Sequence, residues 1–303
     1  MNKRILYFGR SAHLCVKHEQ LKVRIDDSEE ERIFAPSEIA YVEFDSPKVS
    51  ITTAALNSMM QNDVVFLICN EKHLPVGMCL PLVGHTLQQK HQRAQLAASV
   101  PTNKNLWMQT VRAKINNQAS VLEILEQPSQ RLRQLARKVR SGDPDNLEGQ
   151  AASYYWPRVF GNPDFRREPT GPTPNDMLNY GYAVLRALVA RSLVMAGLMI
   201  YSGIHHSNQY NPFPLADDIM EPFRPLVDLW VVKWLEENPP SIVLHREIKA
   251  HMLQLPTLSL HHQGRHPDLL TTAATVSQNL ARCYLNDVKT LDYPEICPSI
   301  LTV

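Results

Sequence analysis

The chain has 303 residues, 44% of them hydrophobic and 20% charged, which is enough apolar material for a real core and excludes intrinsic disorder and collagen-like repeats. Its five cysteines (Cys15, Cys69, Cys79, Cys283 and Cys297) are odd in number and never spaced as CxxC, against both a disulfide framework and a structural zinc site. The net charge of +1 hides an uneven distribution: −2 over residues 1–85, +7 over 86–167 and −4 over 168–303, so the middle third is the candidate polyanion face.

The apolar run at 5–8 is too short for a signal-peptide core, and the longest apolar stretch, 180–201, is interrupted by Arg186 and Arg191. The expectation is a cytoplasmic protein with a buried core helix and no membrane association. Period-two alternation of Leu14 and Val16, then Leu21, Val23 and Ile25, across His18, Glu19 and Gln20 predicts a hairpin. Strands are predicted over 39–44, 64–69 and 76–80, with a helix over 51–60 between them.

From His85 the spacing turns helical, predicting helices over 86–99, 103–125, 129–140 and 145–160. A Pro- and Gly-rich loop over 162–174 follows, then a long helix over 175–201 and further helices after Leu215. The fold class is therefore α+β: a small N-terminal β-rich domain over 1–85 and a larger all-α domain over 86–303.

Three places carry candidate chemistry. Arg131, Arg133, Arg137, Lys138 and Arg140 form a run without an acidic residue, reinforced by Arg158, Arg166 and Arg167, and either bind phosphate or form a solvated helix face. Glu148, in Asn146-Leu147-Glu148-Gly149-Gln150-Ala151-Ala152, would share a helix face with Ala151, Ala152 and Tyr155, although an acid near a helix start is favoured by the macrodipole alone. His205 and His206 follow Gly203 and Ile204, with Asp217, Asp218 and Glu221 soon after. If helical, Asp217, Glu221, Arg224 and Asp228 form a polar stripe beside Ile219, Phe223, Leu226 and Trp230, with Pro222 and Pro225 starting or kinking the helix. His261, His262 and His266 lack an accompanying acid and read as a loop. HExxH, GxSxG, Walker A and dinucleotide signatures are absent.

The ordered set N-L-E-G-Q-A-A-x-x-Y-Y-W, G-I-H-H and L-A-D-D-I-M-E-P-F-R-P-L-V-D, behind a β-rich N-terminal domain, resembles the CRISPR adaptation integrases, the CRISPR-associated protein one family, and is most similar to members from type II systems. The resemblance implies a metal-dependent DNA endonuclease and integrase that inserts spacer DNA into a CRISPR array. One divalent ion, Mg²⁺ or Mn²⁺, would be held by Glu148, His206 and Glu221; the family's histidine stands three residues after a glycine, which from Gly203 gives His206. His205, Asp217 and Asp218 would lie around those ligands, and Arg224 would either clamp a phosphate or neutralise the acids. Implied partners are double-stranded DNA, both spacer precursor and CRISPR repeat, and CRISPR-associated protein two, which bridges two homodimers joined through the N-terminal domain. Two carboxylates and one imidazole suit these hard ions. The competing readings are a nucleic-acid scaffold without metal chemistry and a small-molecule metallohydrolase; the +7 segment argues against the second.

Overall fold

The computed structural model describes residues 4–26, 31–71, 75–80, 82–238 and 246–298. Eight strands come first: β1 (Arg4–Phe8), β2 (Ala12–Lys17), β3 (Gln20–Ile25), β4 (Glu31–Phe34), β5 (Ile39–Phe44), β6 (Val49–Ile51), β7 (Val65–Cys69) and β8 (Pro75–Cys79), with helix α1 (Thr53–Gln61) before β7. They form two four-stranded sheets, ordered β1-β5-β7-β8 and β4-β3-β2-β6. The first three strands of the first sheet are parallel and β8 closes it antiparallel.

The predicted hairpin is β2–β3, in register Leu14 to Val23 and Val16 to Leu21. Its turn residues His18 and Glu19 both adopt positive φ, the twist that a two-residue hairpin demands and that asparagine or glycine usually supplies. Sequence patterning missed β1, β4 and β6, which are only three to five residues long.

The sheets face each other across Leu14, Leu21, Val23, Val42, Met59 and Phe66. The alternation along β7 decides what lies behind the first sheet: Phe66 points into this core, whereas Val65 and Leu67 join Ala40 and Tyr41 in a second core built with the helices. That sheet is covered on both faces, and residues 82–87, which carry no helix or strand, lead into the helical part. Polar groups are buried along the seam: Tyr180 and Tyr41 donate to Glu43, and Lys249 pairs with Asp45 at 2.9 Å.

The helical part comprises α2 (Gln88–Leu96), α3 (Val100–Ile124), α4 (Gln130–Lys138), α5 (Leu147–Val159), α6 (Asn175–Met195), α7 (Pro214–Met220), α8 (Arg224–Glu237), α9 (Arg246–Met252) and α10 (Leu269–Tyr284). Ser99 caps α3, accepting from the Thr102 N–H. The long helix expected over 175–201 stops at Met195. Gly197 takes φ +76°, its N–H bonds the Val194 carbonyl, and the Leu198 N–H bonds that of Leu193, a glycine C-cap that frees the chain to form the loop carrying the two histidines. Among the described residues, no helix is long and apolar enough to cross a membrane.

Candidate active site

Helix α3 forms the floor of the site. Trp107, Lys114 and Asn117 lie along one side of it, two turns and then one turn apart. Asn117 Nδ2 donates to the Pro222 carbonyl at 2.8 Å and its Oδ1 accepts from the Ile296 N–H, which ties the short 3₁₀ turn Glu221–Phe223 to α3. The polar and apolar stripes expected over 217–230 are thus interrupted: α7 ends at Met220 and α8 begins at Arg224, with Pro222 in the turn between and Pro225 in the first turn of α8. Ile219, Phe223, Leu226 and Trp230 are all buried, as an apolar stripe requires.

Glu148 sits in the first turn of α5. Asp143 accepts from the Leu147 and Glu148 N–H groups, and Asn146 from that of Gly149, so the exposed donors of the helix start are satisfied without the Glu148 side chain. Its carboxylate is thereby available to Lys114, whose Nζ lies 2.5 Å from Glu148 Oε1 and 2.5 Å from Glu221 Oε2. Ala151 and Tyr155, on the same helix, are fully buried. The other oxygen of Glu221 accepts from Arg224 at 2.6 Å, and the guanidinium lies over the Tyr182 ring, 4.2 Å from its centroid. Burial alone would raise the Glu221 carboxyl, but Arg224 and Lys114 outweigh it and hold the group down at about 2. For Lys114, the two glutamates overcome burial and raise the ammonium above its ordinary value. Arg224 is thus paired with Glu221, the acid-neutralising contact expected of it.

The histidine loop is organised by Asp218, which has no solvent exposure. It accepts from the backbone N–H groups of Ile204, His205 and His206, and lies 2.5 Å from His206 Nδ1. A β-carbon at Gly203 would stand 2.5 Å from the His206 carbonyl oxygen and 2.9 Å from Asp218 Oδ2, so only glycine permits this turn. The hydrogen bond to Asp218 raises the His206 pKa against the effect of burial. With Nδ1 engaged, Nε2 is the nitrogen left for a ligand. The His205 ring stacks on Trp107 at 4.2 Å and 3°, while His206 meets the same indole edge-on at 5.8 Å. Asp217 belongs to a different contact, paired with Arg186 at 2.6 Å and accepting from Asn211.

The basic run separates into bound and free cations. Arg133 is chelated by Glu123 and bonds Asn116 and Ser120, and Arg140 is paired bidentately with Asp145. Arg131 and Arg158 flank the Tyr154 ring, at 5.3 and 3.6 Å from its centroid. Arg137 and Lys138 are exposed in the last turn of α4 and have no hydrogen bond or ion pair among the described residues.

A Mg²⁺ or Mn²⁺ ion asks for carboxylate oxygens, tolerates an imidazole and keeps several waters. Glu148, Glu221 and His206 supply that donor set, and Glu221 Oε2 is buried without a hydrogen bond of normal geometry. The donor types therefore fit such an ion, with an ammonium standing between the carboxylates, while the ligand atoms of Glu148, His206 and Glu221 do not all lie within 4.8 Å of one another. Among the described residues, the acids and thiol whose ligand atoms all fall within 4.8 Å of one another are instead Glu43, Asp45 and Cys69. That cluster is saturated: Tyr7 and Lys249 serve Asp45, Tyr41, Tyr180 and Cys69 serve Glu43, and burial pushes the thiol away from the thiolate that a metal needs. It reads as an interlock of the two cores.

Sequence patterning missed Lys114, Trp107 and Asn117. Each stands on an amphipathic helix among ordinary spacing, and the contacts that matter reach residues 34 to 179 positions away.

A family model for CRISPR associated protein Cas1 matches residues 5–240. The chain is 35% identical over 301 residues to the CRISPR-associated endonuclease Cas1 of Neisseria meningitidis serogroup C (strain 8013), covering 98% of each. Among solved structures, a casposase bound to integration product superposes with a TM-score of 0.78 at 21% identity, over 96% of this chain and 93% of the other. A Cas6-RT-Cas1–Cas2 complex superposes with 0.70 at 18% identity, over 96% and 36%. At these identities the structural likenesses speak for the fold.

Proposed function

Because this chain belongs to the CRISPR-associated protein Cas1 family, we propose that it is a divalent-metal-dependent DNA endonuclease and integrase, joining spacer DNA to a CRISPR repeat during adaptation. The observation that carries the reading is the convergence of Glu148 and Glu221 on one partly buried cation, Lys114 of α3, with the Asp218-oriented His206 set against Trp107 of the same helix.

In this reading Glu148 and Glu221 would hold the ion through carboxylate oxygens and His206 through Nε2. When bound, Mg²⁺ or Mn²⁺ supplies Lewis-acid activation of the attacking 3′-hydroxyl and charge stabilisation at the scissile phosphate. Asp218 fixes the tautomer and direction of the imidazole, and Arg224 keeps Glu221 ionised against its burial. The reaction is a transesterification: the spacer 3′-oxygen bonds to phosphorus as the repeat's own 3′-oxygen leaves, one proton being lost by the first and gained by the second. This displacement needs no covalent enzyme intermediate.

Exposed Arg137 and Lys138, with the Arg131–Tyr154–Arg158 stack, form the proposed path for duplex DNA. Residues 1–85 are proposed as the dimerisation unit, with two dimers bridged by CRISPR-associated protein two; a Cas1–Cas2 assembly among the structural neighbours supports that partner. The test incubates the purified chain, with and without that partner, with a supercoiled plasmid bearing a repeat and short duplex ends in Mn²⁺ or chelator. Metal-dependent joined products are expected. DNA binding that chelator leaves unchanged, without strand joining, would return the chain to a scaffold.

A further inference from the structure

We propose that Lys114 is the resident counter-ion of the Glu148–Glu221 pair: its ammonium holds the position that the divalent ion takes and gives it up when the ion binds. This rests on the reading that Glu148, His206 and Glu221 form the metal site.

The geometry has three parts. Nζ is 2.5 Å from one oxygen of each glutamate, so those two oxygens are separated by no more than twice that distance. An ion at the Nζ position would need each carboxylate to close in by only a few tenths of an ångström to reach the Mg²⁺–oxygen distance of about 2.1 Å. Second, Arg224 engages Glu221 through the opposite oxygen and is pinned over Tyr182, so it does not stand between the carboxylates. Lys114 is the cation seated between them, in contact with both. Third, the Lys114 ammonium is the cation seated on Glu221 Oε2, at 2.5 Å, a contact that another cation can replace.

The side chain suits exchange. Lysine is a point charge on a flexible four-carbon stem, able to withdraw where the planar, stacked Arg224 is not. Side-chain exposure is 13% for Lys114, 26% for Glu148 and 5% for Glu221, so removing the ammonium without a substitute leaves Glu148 without its paired cation and Glu221 with Arg224 alone. The metal-free site is thereby held in shape, and metal affinity is set by competition with a tethered cation.

The test uses the full chain as wild type, Lys114→Met, Lys114→Gln and Glu148→Gln, with Mn²⁺ binding read from the free-ion electron paramagnetic resonance signal and Tm measured in chelator and in Mn²⁺. The expected result is Mn²⁺ binding about tenfold or more tighter in both Lys114 variants, the mark of a lost competitor. Their Tm should fall in chelator and be regained in Mn²⁺. A merely structural lysine would not tighten binding. Unchanged or weaker binding in both variants, with Glu148→Gln still abolishing it in the wild type, overturns the counter-ion role and leaves the metal site standing. Wild-type binding indifferent to Glu148→Gln overturns the site itself. Variants that fail to fold even with Mn²⁺ present also count against the proposal, since the ion should replace the missing charge.

Discussion

Nδ1 of His206 lies 2.5 Å from Oδ1 of Asp218, a carboxylate sealed from solvent that also gathers three backbone N–H groups of the same loop. One side chain therefore shapes the loop and aims the imidazole. Asp218→Asn keeps the volume but replaces one acceptor oxygen with a donor, so whichever way the amide faces at least one backbone N–H of the loop loses its acceptor and the hold on the ring is loosened. Mn²⁺ affinity and joining rate are each expected to fall about 10- to 100-fold, the usual cost of losing such an orienting partner. A Mn²⁺ titration beside a joining time course checks this, and unchanged affinity would remove Asp218 from the account.

The two adjacent histidines should separate cleanly. His206→Ala is expected to abolish metal-dependent joining while DNA binding at low salt persists. His205→Ala removes a ring stacked on buried Trp107, so its main effect is a stability loss of about 0.5–1.5 kcal/mol, with a substantial share of joining retained. Joining assays and denaturant melts on both variants decide between them; the reverse pattern would place His205 at the metal.

Much of this architecture is legible in the chain because local patterning survives tertiary packing. Leu14, Val16, Leu21 and Val23 alternate, and they pair in β2 and β3. Patterning fails where a later element changes the environment. Glu43 looks like a polar strand residue facing water, yet it is fully buried because the helices cover that sheet face. The helix expected through Tyr201 ends early because a single glycine outweighs an apolar run. Glu148 and Glu221 came into view through ordered motifs, since nothing in their immediate neighbours distinguishes them from helix-start acids. Lys114 gave no signal at all: its partners are 34 and 107 positions away, and only the fold joins them.

The basic run makes a graded prediction. Arg137 and Lys138 are free on the surface, whereas Arg133 and Arg140 already hold carboxylates. Replacing Arg137 and Lys138 together by Ala should reduce the magnitude of the log–log salt slope for duplex binding by about 1.8, two phosphate contacts' worth. Arg133→Ala should leave that slope nearly unchanged and instead cost modest stability through Glu123, Asn116 and Ser120. Equilibrium binding across a salt series measures both, and an unchanged slope for the double variant would mark α4 as a solvated face.

Asp228 supplies a pH test. It is buried, with the Tyr155 and Tyr182 hydroxyls donating to its two oxygens. Burial outweighs those hydrogen bonds and raises its carboxyl from 3.8 to about 6. The folded protein thus holds this proton more tightly than the unfolded chain, so the group's favourable contribution is complete below about pH 4 and is lost as pH rises through 6. With each pKa unit worth about 1.4 kcal/mol, the loss between about pH 4 and pH 8 is on the order of 3 kcal/mol. Asp228→Asn cannot ionise, and Tyr hydroxyls can accept from its amide as well as donate to its oxygen. Whatever constant offset the substitution carries, the stability difference between variant and wild type should shift toward the variant by that amount over this range. Urea denaturation of both proteins at several pH values reads the difference directly, and parallel stability curves would mean that Asp228 stays charged throughout.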